Sequence, residues 1–211
     1  MIFRQINSGG DRNYAYIIGC EQTGKAAVAD PSPDPVPVFN ELKTLGLDLV
    51  YIFNTHSHPD HTGGNRTMKE ETGAQLVTYK GGVGDLEVED GAVLNVGETA
   101  CEFLHTPGHT PDSLCILAGD ELVTGDTLFV GKVGGTYTEE DARTEFESLK
   151  RLLLLPGHIR VWPGHNYGTA PSSSIDNEKE TNPFILRLDK FDDFLWLKQN
   201  WAEFKAEHGI K

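Results

Sequence analysis

The sequence predicts an α/β fold in which two mixed sheets are layered together with helices on the outside. Three observations lead there. Short apolar runs of strand character crowd the first half of the chain, and strands then alternate with helix-compatible segments. Gly, Asp and Pro mark many of the junctions. The length of 211 residues suits one domain and suffices to bury a sizeable core.

The elements can be justified in order. Residues 13–19 (NYAYIIG) and 25–30 (KAAVAD) read as strands joined by the turn Glu21-Gln22-Thr23-Gly24. The proline-rich stretch 31–37 ends that hairpin, and a helix over about 36–45 is stopped by Gly46. Residues 49–54 form a buried strand. Residues 63–72 are helix-compatible and closed by Gly73. Residues 75–79, 92–96, 100–105, 113–118 and 121–124 read as strands. Residues 142–155 have the length and composition of a helix, which Pro156-Gly157 stops, and 159–162 is a last short strand. Residues 189–207 read as one amphipathic helix, with Phe194, Leu197, Trp201 and Phe204 at helical spacing. The expected division is a body over 1–188, with this helix, in 189–211, packed on the same domain. The alternative use of the stripe is a lid or a homodimer contact.

Composition narrows the function. The net charge is −14 and no basic cluster interrupts it, so nucleic acid and anionic membrane are not the expected partners. Cys20, Cys101 and Cys115 are scattered in apolar or strand-like stretches and form no C-x-x-C pair, which fits free buried thiols and a cytoplasmic location. The N-terminus does not read as a secretory signal, and no run approaches the ~20 apolar residues of a membrane span.

The most informative segment is Thr55-His56-Ser57-His58-Pro59-Asp60-His61, which follows the apolar run 49–53. Imidazole nitrogens and carboxylate oxygens suit zinc and neighbouring transition ions. One metal could take His56 and His58, and a second Asp60 and His61. Further donors stand in similar places. His109 lies in Thr106-Pro107-Gly108-His109-Thr110, Asp126 in Thr124-Gly125-Asp126-Thr127, and His165 in Pro163-Gly164-His165-Asn166-Tyr167. Each follows an apolar strand and sits beside glycine, where a scaffold presents site residues on loops. His105, His158 and His208 lack that context and are expected to be structural or solvent-exposed.

This ordered set resembles the metallo-β-lactamase fold superfamily, over about residues 10–184. The resemblance implies an αββα sandwich with two divalent metal ions at one edge of the sheets. It places His56, His58 and His109 on one ion, Asp60, His61 and His165 on the other, and Asp126 between them. Zinc is the first expectation, with iron or manganese as alternatives. Within the superfamily the stretches 106–110, 125–130 and 164–167, and Pro171 through Phe184, are similar to short forms of the glyoxalase II branch, the hydroxyacylglutathione hydrolases. That branch carries a basic residue where this chain has Gly135. Tyr137 and Tyr167 fall where glutathione-contacting tyrosines are expected, and Lys132 or Arg187 is available to supply the charge. Asp126 argues against antibiotic hydrolysis, since β-lactamases of the superfamily usually lack this bridging aspartate.

The expected reaction is hydrolysis of a small anionic thioester such as S-lactoylglutathione, with a hydroxide oriented by Asp60 as nucleophile. A thiolate leaves readily, so no strong general acid is required. The rival is a persulfide dioxygenase-like oxidoreductase of the same fold, with a single iron on His56, His109 and Asp126.

Overall fold

The computed structural model describes residues 1–210. β1 (Ile2–Asn7), β2 (Tyr14–Gly19) and β3 (Lys25–Ala29) form an antiparallel meander. β1 is hard to see in the sequence because none of its side chains is fully buried. β2 buries both faces, so it reads as a nearly continuous apolar run. α1 (Val36–Leu45) starts with proline in its first turn and ends at Gly46 in the left-handed conformation, whose N–H reaches back to Leu42 and Lys43. β4 (Asp48–Phe53) then pairs in parallel with β3.

The one-turn helix α2 (Pro59–Thr62) and α3 (Asn65–Thr72) come next, the latter capped by left-handed Gly73. β5 (Gln75–Tyr79) and β6 (Leu86–Val88) complete a six-stranded mixed sheet in the order β1-β2-β3-β4-β5-β6. The second sheet is built from β7 (Val93–Val96), β8 (Thr99–His105), β9 (Leu114–Ala118) and β10 (Glu121–Gly125). The small hairpin β11 (Leu128–Phe129) and β12 (Lys132–Val133) and the helix α4 (Glu139–Leu152) lead to β13 (Arg160–Pro163) and β14 (Ser173–Ser174). This sheet runs β14-β13-β10-β9-β8-β7 and is mixed through the parallel β10–β13 pair. α5 (Ile175–Thr181) follows.

The predicted single helix over 189–207 is instead two, α6 (Phe191–Gln199) and α7 (Trp201–His208). Asn200, at φ −115° and ψ 18°, leaves the helical conformation and serves both as the end of one and the start of the other. The apolar stripe survives the break. Phe194, Leu197 and Phe204 are buried in one cluster, and Trp201 packs against it.

Three apolar clusters define four layers. Between the sheets lie Tyr16, Ile18 and Phe53 from one, and Phe103, Leu114 and Ile116 from the other. Ile17, Val28 and Ile52 point the opposite way and meet Val38 and Leu42 of α1 and Met68 of α3. Outside the second sheet, Leu122, Val161 and Cys115 pack against Phe146 and Leu149 of α4 and the C-terminal helices. Alternation along β2 sends Tyr14, Tyr16 and Ile18 inward and Ala15 and Ile17 outward, as a strand's two-residue period requires.

At one edge the sheets are stitched together by backbone bonds. Tyr14 N–H donates to Gly164 O (2.9 Å) and Leu114 N–H to Thr55 O (2.7 Å), while Gly164 N–H to Gly125 O (2.7 Å) extends the β10–β13 pairing within the second sheet. The loops that follow β4, β8, β10 and β13 meet at this edge.

Candidate metal centre

β4 hands the chain to Asn54 and Thr55, and then to His56 and His58. His58 is the extended residue ahead of α2, which carries Asp60 and His61. The loops after β8, β10 and β13 bring His109, Asp126 and His165. All seven predicted donors converge. His56, His58 and His109 form one group, Asp60, His61 and His165 another, and His56, His61 and Asp126 a third, with donor atoms inside each group within 4.8 Å of one another. Asp126 lies between the first two, its Oδ2 3.5 Å from both His109 Nε2 and His165 Nε2.

The outer nitrogen of four imidazoles is already committed. His61 Nδ1 donates to Asp30 Oδ2 (2.9 Å), His165 Nδ1 to Asp11 O (2.9 Å) and His109 Nδ1 to Gly135 O (2.8 Å). Thr55 Oγ1 donates its own proton to Asp30 Oδ2 (2.6 Å), so its contact with His56 Nδ1 (3.1 Å) makes His56 the donor. In the neutral imidazoles the remaining nitrogens therefore carry lone pairs, and these point at one another. His61 Nε2 and His165 Nε2 are 3.2 Å apart, and His56 Nε2 and His109 Nε2 both face His58 Nδ1, at 3.0 and 3.1 Å, which can offer a proton to only one of them. Asp126 Oδ1 is buried with no hydrogen-bond partner. Facing lone pairs and an orphaned carboxylate oxygen are repulsive unless a cation sits among them, so the donor set fits metal ions.

The titration pattern has the same origin. Burial opposes a charge on His61, but Asp30, Asp126 and Asp60 outweigh it and lift its pKa to about 9. Without metal, a proton on His61 does part of the cation's work. Burial and the neighbouring His61 push His56 down to about 2, and burial also lowers His109. Asp126 is held far below the usual carboxylate range. Burial works against its ionisation, but the adjoining imidazoles of His165 and His61 prevail. His56, His109 and Asp126 are thus poised as neutral nitrogens and an ionised oxygen, the protonation states that bind metal, whereas His61 must give up its proton when an ion binds.

The family model described as the Metallo-beta-lactamase superfamily matches residues 8–165. The chain belongs to that superfamily. It is 35% identical over 178 residues to a hydroxyacylglutathione hydrolase from Polaromonas, covering 79% of this chain and 67% of the relative. Matches to further hydrolases of that name cover 62% and 66% of their length, so the chain spans about two thirds of such relatives. It is 31% identical over 191 residues to the human mitochondrial persulfide dioxygenase ETHE1, covering 87% and 75% of the two chains. The crystal structure of ETHE1 from Myxococcus xanthus superposes with a TM-score of 0.88 at 34% identity, covering 95% of this chain and 91% of that one.

The residues around the donors divide the site into two sides. On one, Tyr167 stacks on His165 with ring centroids 4.6 Å apart and donates its hydroxyl to Asp11 Oδ2 (2.6 Å). Lys132 Nζ and the Arg12 guanidinium lie over the same Tyr167 ring at 4.8 and 4.7 Å. With Lys205 they line a cleft of about 420 Å³. On the other side a cavity of about 580 Å³ reaches His56 and Ser57 and is walled by Tyr79, Val83 and Pro111. Tyr137 lines neither of these; it is 82% exposed beside a separate cavity of about 480 Å³ that it shares with Gly135 and Lys198, so the structure does not bring it to the donors. Arg187 turns elsewhere, donating to Pro183 O (2.8 Å) and lying over Phe204.

Sequence reasoning missed the residues that aim the donors. Asp30 accepts from Thr55 N–H, the Thr55 hydroxyl and His61, and Asn13 Nδ2 donates to Asp60 Oδ2 (3.0 Å). One signal was available for Asp30, an acid at the end of an apolar strand just before prolines.

Proposed function

We propose that this enzyme is a metal-dependent thioester hydrolase of the hydroxyacylglutathione hydrolase kind. The observation that carries the reading is the pair of donor triads with Asp126 between them, a set complete for two ions rather than one. Ions bound there would lower the pKa of a water to ~7 and polarise the substrate carbonyl.

The chain's own groups set the rest of the chemistry. Asp60 is held by Asn13, and although burial opposes its charge, that hydrogen bond and His61 keep its carboxylate ionised. It can accept a proton from the attacking water and fix its direction. Addition of water to the carbonyl carbon and rupture of the C–S bond give a carboxylic acid and a thiol. A leaving thiolate of pKa ~8.5 needs no acid held ready for it. Lys132, Arg12 and Tyr167 offer the anionic portion of the carrier a cationic and aromatic wall. The cavity beside His56 and Ser57 has room for the acyl group.

The test is turnover of S-D-lactoylglutathione and other acyl thioesters by the metal-loaded protein. Activity no greater than that of an Asp60→Ala control counts against the assignment.

A second reading has support of its own in the extent of the similarity to the Myxococcus ETHE1 structure. A persulfide dioxygenase-like enzyme would hold one iron on His56, His109 and Asp126. One iron per chain, with oxygen uptake dependent on glutathione persulfide, would select it over hydrolysis.

A further inference from the structure

An ion pair is buried where the chemistry described so far does not use it. Glu145 of α4 is fully buried, and Lys198 of α6 is only 9% exposed. The Lys198 ammonium donates to Glu145 Oε2 and to Gly134 O (2.7 Å). Glu145 Oε1 has no hydrogen-bond partner. Such pairs seldom stabilise a fold more than apolar side chains of the same size would. Their better-attested use is to fix one geometry among several.

The geometry in reach is that of His109. Its Nδ1–H donates to Gly135 O (2.8 Å), which fixes the tautomer and turns Nε2 toward the centre. Gly135 itself is loosely surrounded, since a Cβ on it would meet nothing within 4 Å; Gly134 packs closely on Asp126 O and His109 Cβ, but its N–H makes only a long 3.5 Å bond to Thr127 O. The short tether on this segment is Lys198 to Gly134 O. The face of α4 that carries Glu145 grips the other side of the His109 loop. Ser148 Oγ donates to Pro107 O (2.7 Å). Gly108, at φ +141°, lies so close that a Cβ there would come within 2.3 Å of Glu145 Cβ.

We propose that Glu145 and Lys198 are positioning residues that hold the 134–135 backbone so that it presents His109 to the metal. The inference rests on His109 being a metal ligand. It also gives the C-terminal helix α6 a part in the site without contact to substrate.

Cobalt(II) is a suitable probe, because its visible absorption reports ligand geometry. The decisive variant carries both Glu145→Leu and Lys198→Met, which removes the buried charges together. Its metal-free melting temperature should stay within a few degrees of wild type, since no lone charge is left buried. Its cobalt affinity at the His56–His58–His109 position should nonetheless fall 10- to 100-fold. The His109 side-chain N–H resonance of the metal-free protein should lose its protection from exchange. Lys198→Arg, which keeps a donor, should retain most of the affinity.

Wild-type cobalt affinity and a protected His109 N–H in the double variant would overturn the proposal. Should that variant fail to fold, Glu145→Gln decides by the same two readouts, again with wild-type values overturning it. Wild-type protein that takes up no cobalt would refute the ligand assignment itself, and this inference with it.

Discussion

At the scale of single residues, Asp30 aims the metal donors, accepting from Thr55 N–H, the Thr55 hydroxyl and His61 Nδ1–H. Asp30→Ala is therefore expected to weaken binding at the Asp60–His61–His165 position 10- to 100-fold, measured by competition with a chromogenic chelator. Unchanged affinity would show that His61 is oriented by packing alone. The donors were legible in the sequence, since His109, Asp126 and His165 each follow an apolar strand and stand beside glycine, so chemistry and context agree. Asp30 gives no comparable cue, because an acid closing a strand reads as a turn residue. Its three hydrogen bonds appear only when β3 and β4 lie side by side. Gly164 is a sharper case. A Cβ there would sit 2.5 Å from Asp126 Oδ1 and 2.8 Å from His61 Cε1. Gly164→Ala should fold yet retain less than one metal per chain, and two retained ions by elemental analysis would contradict the packing argument.

His61 also predicts a pH dependence. Its folded pKa of about 9 in the metal-free protein lies above the ~6.5 of an unfolded histidine, so the folded state binds the proton more tightly. The stabilisation is complete below pH ~6.5 and is lost as pH rises through about 9. Metal-free protein should melt several degrees lower at pH 9.5 than at pH 6.5, and saturating zinc, which replaces the proton, should flatten that slope. A metal-free melting temperature that climbs over the same interval would contradict the sign.

At the scale of elements, what could be read depended on burial. β2, β3 and β9 bury nearly every residue and stood out as apolar runs, and α1 announced itself by its proline and glycine ends. β1 has no fully buried side chain, and β11, β12 and β14 are two residues each, too short for any period to show. α4 begins three residues earlier than its predicted start because Thr138 caps it. The Thr138 hydroxyl accepts from Asp141 N–H while the Asp141 carboxylate accepts from Thr138 N–H, a reciprocal cap with an acidic first turn. This start anchors the end of the loop that carries Gly134 and Gly135. Thr138→Ala should lower unfolding stability by about 0.5–2 kcal/mol in urea titration. A loss below ~0.3 kcal/mol would mean that the packing of Phe146 and Leu149 alone sets the helix start.

At the scale of the whole molecule, two electrostatic effects oppose each other, and their balance can be measured. The net charge of −14 repels an anionic thioester from a distance. Close to the site, Arg12, Lys132 and Lys205 outnumber the single carboxylate, Asp11, that lines the same cleft, and the Lys132 pKa is lowered by burial and by the charges of Lys205 and Arg12. Like charges brought together at that cost make a local field that attracts carboxylates or phosphates. Screening separates the two effects, because the Debye length falls from ~30 Å at 0.01 M salt to ~8 Å at 0.15 M. If the local cations dominate encounter, kcat/KM for S-lactoylglutathione should fall several-fold across that range. Lys132→Met should then raise KM several-fold with little change in kcat, since Lys132 lies against Tyr167 rather than among the metal donors, and the salt dependence should become shallower. If the bulk charge dominates, added salt would raise kcat/KM instead, and the cleft beside Tyr167 would lose its claim on the carrier.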